Sequence, residues 1–137
     1  MKLAHIGIAV KSLKEAAPVF EKIFDVKATD TEYVEDQKVN VRKIHLENCD
    51  IELLEGTDPD SPVTKFIEKK GEGIHHISFG VDEIQNTLNR IKNDGIKLIN
   101  ETPQTGADEM LVAFLHPKAA NNVLIELTQE QKPINLK

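Results

Sequence analysis

The sequence predicts an α+β fold of two tandem β-α-β-β-β modules, and two repeats predict it. His5-Ile6-Gly7-Ile8-Ala9-Val10 near the start returns as His76-Ile77-Ser78-Phe79-Gly80-Val81. Ile51-Glu52-Leu53 returns as Ile125-Glu126-Leu127. The His-to-Glu spacing is nearly equal in the two copies, which marks a duplicated unit rather than two chance strands.

Residues 3–10 read as the first strand. Ser12 then offers an N-cap, with Glu15 three places on as a capping box. Leu13, Ala16, Ala17, Phe20, Ile23 and Phe24 follow at helical spacing and predict an amphipathic helix over roughly 13–24. Pro18 lies inside it, where it would kink the helix or delay its start. Residues 27–36 and 38–47 read as a strand pair, from Thr29, Thr31 and Tyr33 on one side and Val39, Val41, Ile44 and Leu46 on the other. Residues 50–55 form the strand that carries Glu52.

A connector, Gly56–Asp60, precedes a short linker helix over about 61–70, with Ser61 as its cap, Pro62 at its first position and Gly71 as its stop. The second module then repeats the order. Residues 74–81 are a strand. Asp82 and Gln85 open a helix that runs to about Asn93, and Gly95 ends it. Lys97-Leu98-Ile99 reads as a short strand and 101–110 as a polar loop at the rim of a site. Residues 111–115 and 122–128 are the last strands, and the tail after Gln129 reads as polar and loose. The chain is thus one domain over 1–137, with modules of about 1–56 and 73–130.

Strand parity turns the repeats into chemistry, because successive side chains point to opposite faces. One face of the first strand carries His5, Gly7 and Ala9; the matching face of its copy carries His76, Ser78 and Gly80. The opposite faces are branched or aromatic. Each imidazole therefore stands over a row of small residues, which leaves room for a bound group. Glu52 and Glu126, each between two large aliphatics, face away from the apolar packing by the same parity. A buried lone carboxylate is costly and calls for a cation or a strong donor beside it. His5, Glu52, His76 and Glu126 together make a four-ligand site for a divalent metal. Such mixed nitrogen and oxygen donors suit cobalt, manganese, zinc, nickel or iron rather than a soft thiolate metal.

The formal net charge of −6 disfavours nucleic acid and anionic membranes as partners. No apolar run approaches a membrane span, and the N-terminus lacks a signal peptide's apolar core. Cys49 is the one cysteine, so no intrachain disulfide forms; this fits a cytoplasmic setting.

Two such modules, each giving a His on its first strand and a Glu on its last, resemble the vicinal-oxygen-chelate superfamily. Within it the chain closely resembles the methylmalonyl-CoA epimerases. The resemblance rests on His5–Val10, Ile51-Glu-Leu-Leu-Glu55, Asp60-Ser-Pro62, Lys65–His76 with its Gly-Glu-Gly-Ile-His-His, Ala113-Phe-Leu-His-Pro-Lys118 and Val123-Leu-Ile-Glu-Leu127. It implies an open, curved mixed sheet around the metal site, a homodimer, and a place in propionate metabolism. It implies His5, Glu52, His76 and Glu126 as ligands of one divalent ion, with cobalt first among the candidates. The substrate would be methylmalonyl-CoA, its (R) and (S) forms interconverted through a metal-stabilised enolate. Inversion calls for acid/base groups on opposite faces of the carbon. Glu126, at the metal, is the expected base on one face, and Asp36, which holds the motif position of the family's second base, is the expected one on the other. The neighbouring Glu35 points to the other face if this stretch is a strand. The loop at 106–111 departs from the family pattern, with Asp108 and Met110 where a His and a Lys often stand.

Rivals within the fold are glyoxalase I, whose anionic thiol favours arginine partners, ring-cleaving dioxygenases, and a metal-free drug-binding resistance protein. Only Arg42 and Arg90 are present, and a fourth protein ligand disfavours the dioxygenase. His75 and His45 read as packed or surface residues, His116 as a substrate contact or a turn residue, and Lys69, Lys70 and Lys118 as solvated.

Overall fold

Strand β1, Lys2–Ala9, lies at the middle of one eight-stranded sheet. The computed structural model describes residues 1–130; the expected loose tail lies, beyond Glu130, outside the described residues. The other elements are α1 (Leu13–Phe24), β2 (Glu32–Val34), β3 (Val39–His45), β4 (Asp50–Gly56), α2 (Pro62–Lys70), β5 (Gly73–Gly80), α3 (Ile84–Asn93), β6 (Gln104–Thr105), β7 (Leu111–Phe114) and β8 (Ile125–Gln129). The sheet order is β2-β3-β4-β1-β5-β8-β7-β6. β1 pairs parallel with β4, β5 pairs parallel with β8, and β1 and β5 meet antiparallel. The two modules are thus joined at their first strands.

Each module covers one sheet face with its helix. Leu13, Ala17, Phe20 and Phe24 of α1 pack on Ile6, Ile8, Ile51 and Leu53. Ile84, Leu88 and Ile91 of α3 pack on Phe79, Ala113 and Leu127. On the other face Ala9, Val39, Val41 and Leu54 gather with Val63 of α2. Burial of each such aliphatic contributes about 1.5–3 kcal/mol, so the apolar parity of the strands decides which face the helices take.

The helix signals act largely as expected. Ser12 Oγ accepts from Glu15 N, and Ser61 Oγ accepts from Val63 N with Pro62 opening α2. Pro18 does not break α1, which runs unbroken through it. α3 differs: it starts at Ile84 with no side-chain cap of its own, and Ile84 N–H donates to the Gln129 side chain of β8.

Two expected strands depart from the sequence reading. Residues 27–31 run beside β3 with one backbone hydrogen bond, from Thr29 N–H to the Lys43 carbonyl, and no continuing ladder, because Thr29 Oγ1 takes Lys43 N–H and Arg42 Nε donates to the Thr29 carbonyl. Lys97-Leu98-Ile99 makes only the Leu98–Leu115 bridge, since the Asn100 side chain accepts the Phe114 N–H that a longer ladder would use. The second strand of the second module is instead Gln104–Thr105, inside the expected loop. Glu35–Gln37 is a 3-10 turn, closed by Lys38 in the left-handed region at φ 51°. Asp36 therefore lies on a turn and not on a strand, and the parity argument against Glu35 lapses. Among the described residues no helix is long and apolar enough to cross a membrane.

Candidate metal centre

The register of the four central strands builds the site. Gly7 of β1 faces Glu52 on one side and His76 on the other. Ser78 of β5 faces Glu126 on one side and His5 on the other. The two half-sites are therefore related across the β1–β5 seam. The small residues do make room, but for each other's module. A Cβ on Gly7 would lie within 2.8 Å of Cε1, Nδ1 and Nε2 of the His76 ring. The space expected for a ligand is filled here by the partner imidazole.

All four predicted ligands are buried and converge. His5 Nε2 and His76 Nε2 are 2.9 Å apart, with the rings edge to face. His5 Nδ1 is 3.2 Å from Glu52 Oε2, and His5 Nε2 is 3.1 Å from Glu126 Oε1. His76 Nε2 is 3.9 Å from Glu126 Oε2. One donor atom each from His5, Glu52 and His76 lies within 4.8 Å of the others, close enough to hold one metal ion. Among the described residues, Glu126 Oε1 and Ser78 Oγ are the buried side-chain oxygens without a hydrogen-bond partner. Glu126 Oε1 has His5 Nε2 at ion-pair distance but not in line for a hydrogen bond. Buried polar atoms are rarely left so. An orphaned carboxylate oxygen beside two facing imidazole nitrogens, in a donor set of charge −2, fits a divalent cation.

The electrostatics agree. Burial lowers the pKa of His76 to about 3, so the ring is neutral and free to ligate. Burial also opposes a charge on His5, but the Glu126 and Glu52 carboxylates outweigh it and raise its pKa above the ordinary value. The two carboxylates thus favour the protonated form of His5 at the place where an ion would sit. Burial lifts the Glu52 carboxyl above its usual range. For Glu126 burial works against the anion, and the His5 and His76 rings outweigh it and hold the carboxyl below that range.

The cavity around these groups measures about 20 Å³, room for about one water-sized group. Val39 and Val41 of β3, Gln37 of the 3-10 turn, and Gly106, Ala107 and Met110 of the β6–β7 segment wall it. Asp36 is exposed and does not line the cavity; its neighbour Gln37 does.

The sequence reading missed Lys43. It is 7 % exposed, the only buried Lys or Arg among the described residues, and its Nζ is 3.6 Å from Glu52 Oε2. It pairs with Glu52 across β3–β4 and continues the buried Val39–Val41 face, and that alternation was the available signal. Its second partner is Asp108, whose backbone N–H donates to the Glu32 carboxylate.

The other histidines read as expected or more simply. His75 Nδ1 is 3.0 Å from His76 Nδ1, and the His75 ring packs edge-on to Phe66. His45 is exposed and pairs with Asp50. His116 accepts the Lys118 N–H and caps a 3-10 turn over Pro117–Ala120, a turn role.

A family model described as the Glyoxalase/Bleomycin resistance protein/Dioxygenase superfamily matches residues 4–114. The chain is 39% identical to the uncharacterized protein YqjC of Bacillus subtilis, over 93% of this chain and 91% of that one. It is 36% identical to an ethylmalonyl-CoA/methylmalonyl-CoA epimerase of Cereibacter sphaeroides, over 93% and 97%. A Streptomyces coelicolor methylmalonyl-CoA epimerase variant in complex with 2-nitronate-propionyl-CoA superposes with a TM-score of 0.91 at 30% identity, covering 97% of this chain and 99% of that one. With a buried His/Glu constellation at the seam of a duplicated βαβββ sheet, the chain belongs to the glyoxalase/bleomycin resistance protein/dioxygenase superfamily and, within it, to the methylmalonyl-CoA epimerase family.

Proposed function

We propose that this chain is an isomerase that interconverts (R)- and (S)-methylmalonyl-CoA, with one divalent metal held by His5, Glu52, His76 and Glu126. The observation that carries this reading is the pair of facing imidazole nitrogens flanked by two buried carboxylates, in a chain of the epimerase family. A divalent ion in that place supplies Lewis acidity, which lowers the cost of negative charge on a thioester oxygen. Cobalt is the first candidate, with manganese, zinc, nickel and iron behind it, since these donors suit all five.

The chain's own residues do the rest. His76 is kept neutral by burial, and the His75 and Phe114 rings pack against its ring. The valines and Ala107 exclude water, which strengthens every electrostatic contact inside. Glu126 is held ionised, the state a proton acceptor needs, although the neighbours that hold it so also weaken it as a base. We assign it the proton on one face of the α-carbon. Asp36 is assigned the other face; it stands on the turn that gives Gln37 to the cavity wall. A homodimer and a cytoplasmic setting complete the proposal.

Offering the purified chain methylmalonyl-CoA, the hemithioacetal of methylglyoxal and catechol side by side tests the reading. Epimerisation alone is expected. Turnover of either other substrate with methylmalonyl-CoA untouched would overturn it.

A further inference from the structure

Lys43 has two carboxylates beside it and belongs to neither alone. Glu52 on the adjacent strand is a candidate metal ligand. Asp108 reaches in from the β6–β7 segment, its own side chain 61 % exposed while that of Lys43 is nearly covered. The segment is bent to deliver it: Asp108 and Glu109 both sit in the left-handed region, at φ 55° and 58°, without glycine. Residues so placed are strained and persist where something else fixes them. Here the fixing contacts are the ion pair with Lys43 and the Glu32 carboxylate on the Asp108 N–H. The same segment walls the cavity through Gly106, Ala107 and Met110. Moving it would uncover the candidate metal centre and Lys43 in one step. A carboxylate from outside can meet Lys43 only after Asp108 leaves it, whereas an acyl group without one need not displace Asp108.

The charges then need a new partner. With Glu52 and Glu126 matched by a divalent ion, Lys43 without Asp108 keeps only the Glu52 oxygen at 3.6 Å, whose charge the ion already offsets, so the ammonium charge is left unbalanced. A carboxylate arriving on the substrate restores the balance. We propose that Lys43 is the seat for the free carboxylate of the acyl-CoA substrate, and that Asp108 fills this seat as an internal stand-in when no substrate is bound. The inference rests on the proposed epimerase reading and names what would make that site select malonyl-type thioesters.

The test is binding of racemic methylmalonyl-CoA and of propionyl-CoA, which lacks the free carboxylate, measured by calorimetry on the metal-loaded chain. The readout is the ratio of the two dissociation constants. Lys43→Met is expected to cut the preference for methylmalonyl-CoA about 10- to 100-fold, the worth of one charged hydrogen bond. Asp108→Ala is expected to raise that preference, by removing the competitor. Should Lys43→Met not fold, Asp108→Ala alone decides. A ratio that Asp108→Ala lowers or leaves unmoved overturns the proposal, as does a native-like Lys43→Met with the wild-type ratio. If α-proton exchange persists in that case, the epimerase reading stands without this seat. A wild-type chain that neither prefers methylmalonyl-CoA nor exchanges its α-proton overturns both.

Discussion

Gly7 and His76 face each other across the β1–β5 seam so closely that a methyl group on Gly7 would overlap the imidazole. Gly7→Ala is therefore expected to push the His76 ring off its place. Overpacking of this kind costs about 1–3 kcal/mol, and bound metal should fall with it. Gly80→Ala is the control: its Cβ would meet only Lys2 atoms at 3.8 Å. Thermal melting and metal content of the two variants check this, and equal behaviour would contradict it.

The Glu126 and Glu52 carboxylates favour a proton on His5, and an ion bound there competes with that proton. Metal binding should release protons from this ring, more of them as the pH falls. Affinity should fall as the pH drops. Titrations in buffers of different ionisation enthalpy measure the release. Affinity that does not change between pH 8 and pH 6 would count against it.

His75 and His76 work in the opposite sense. Burial takes their pKa values down to about 4 and about 3, whereas the unfolded rings titrate near 6.5. Below that pH, unfolding takes up two protons, and stability falls by about 1.4 kcal/mol per pH unit for each. His5, with its pKa raised, is protonated in both states there and adds nothing; its contribution is present at low pH and lost as the pH rises through its folded value. Urea unfolding of chelator-treated protein from pH 6.5 to 4.5 should show the decline. A midpoint that stays level or rises would contradict it.

Glu126→Gln and Asp36→Asn test the two proton-transfer roles. Each is expected to lower epimerisation by about 10²- to 10⁴-fold, the usual worth of an acid/base group. Metal content of Asp36→Asn should be unchanged, since that residue lies outside the cavity. Full activity in Asp36→Asn would remove it as a base.

How far the site was legible depends on parity. His5, Glu52, His76 and Glu126 were readable because each alternates with large aliphatics in a central strand, and the repeat fixes their pairing. Lys43 obeys the same alternation but was hidden, because a lysine beside Arg42 reads as a solvated edge. Its burial depends on Asp108, 65 positions away. Asp36 was misplaced on a strand because Thr29, Thr31 and Tyr33 favour strand locally. The Thr29 side chain and Arg42 instead take up the hydrogen bonds that would have extended the ladder. The Lys97–Ile99 strand failed for a similar reason, a single amide side chain standing in for backbone. Hydrophobic alternation carries no record of such substitutions.

Metal content and deuterium incorporation at the α-carbon of methylmalonyl-CoA, measured on one sample in heavy water, test the central claim most directly. The account predicts about one divalent ion per chain, and exchange that stops on chelation and returns when the ion is restored. Undiminished exchange in metal-free protein, or full metal occupancy after both His5 and His76 are replaced by alanine, would contradict it.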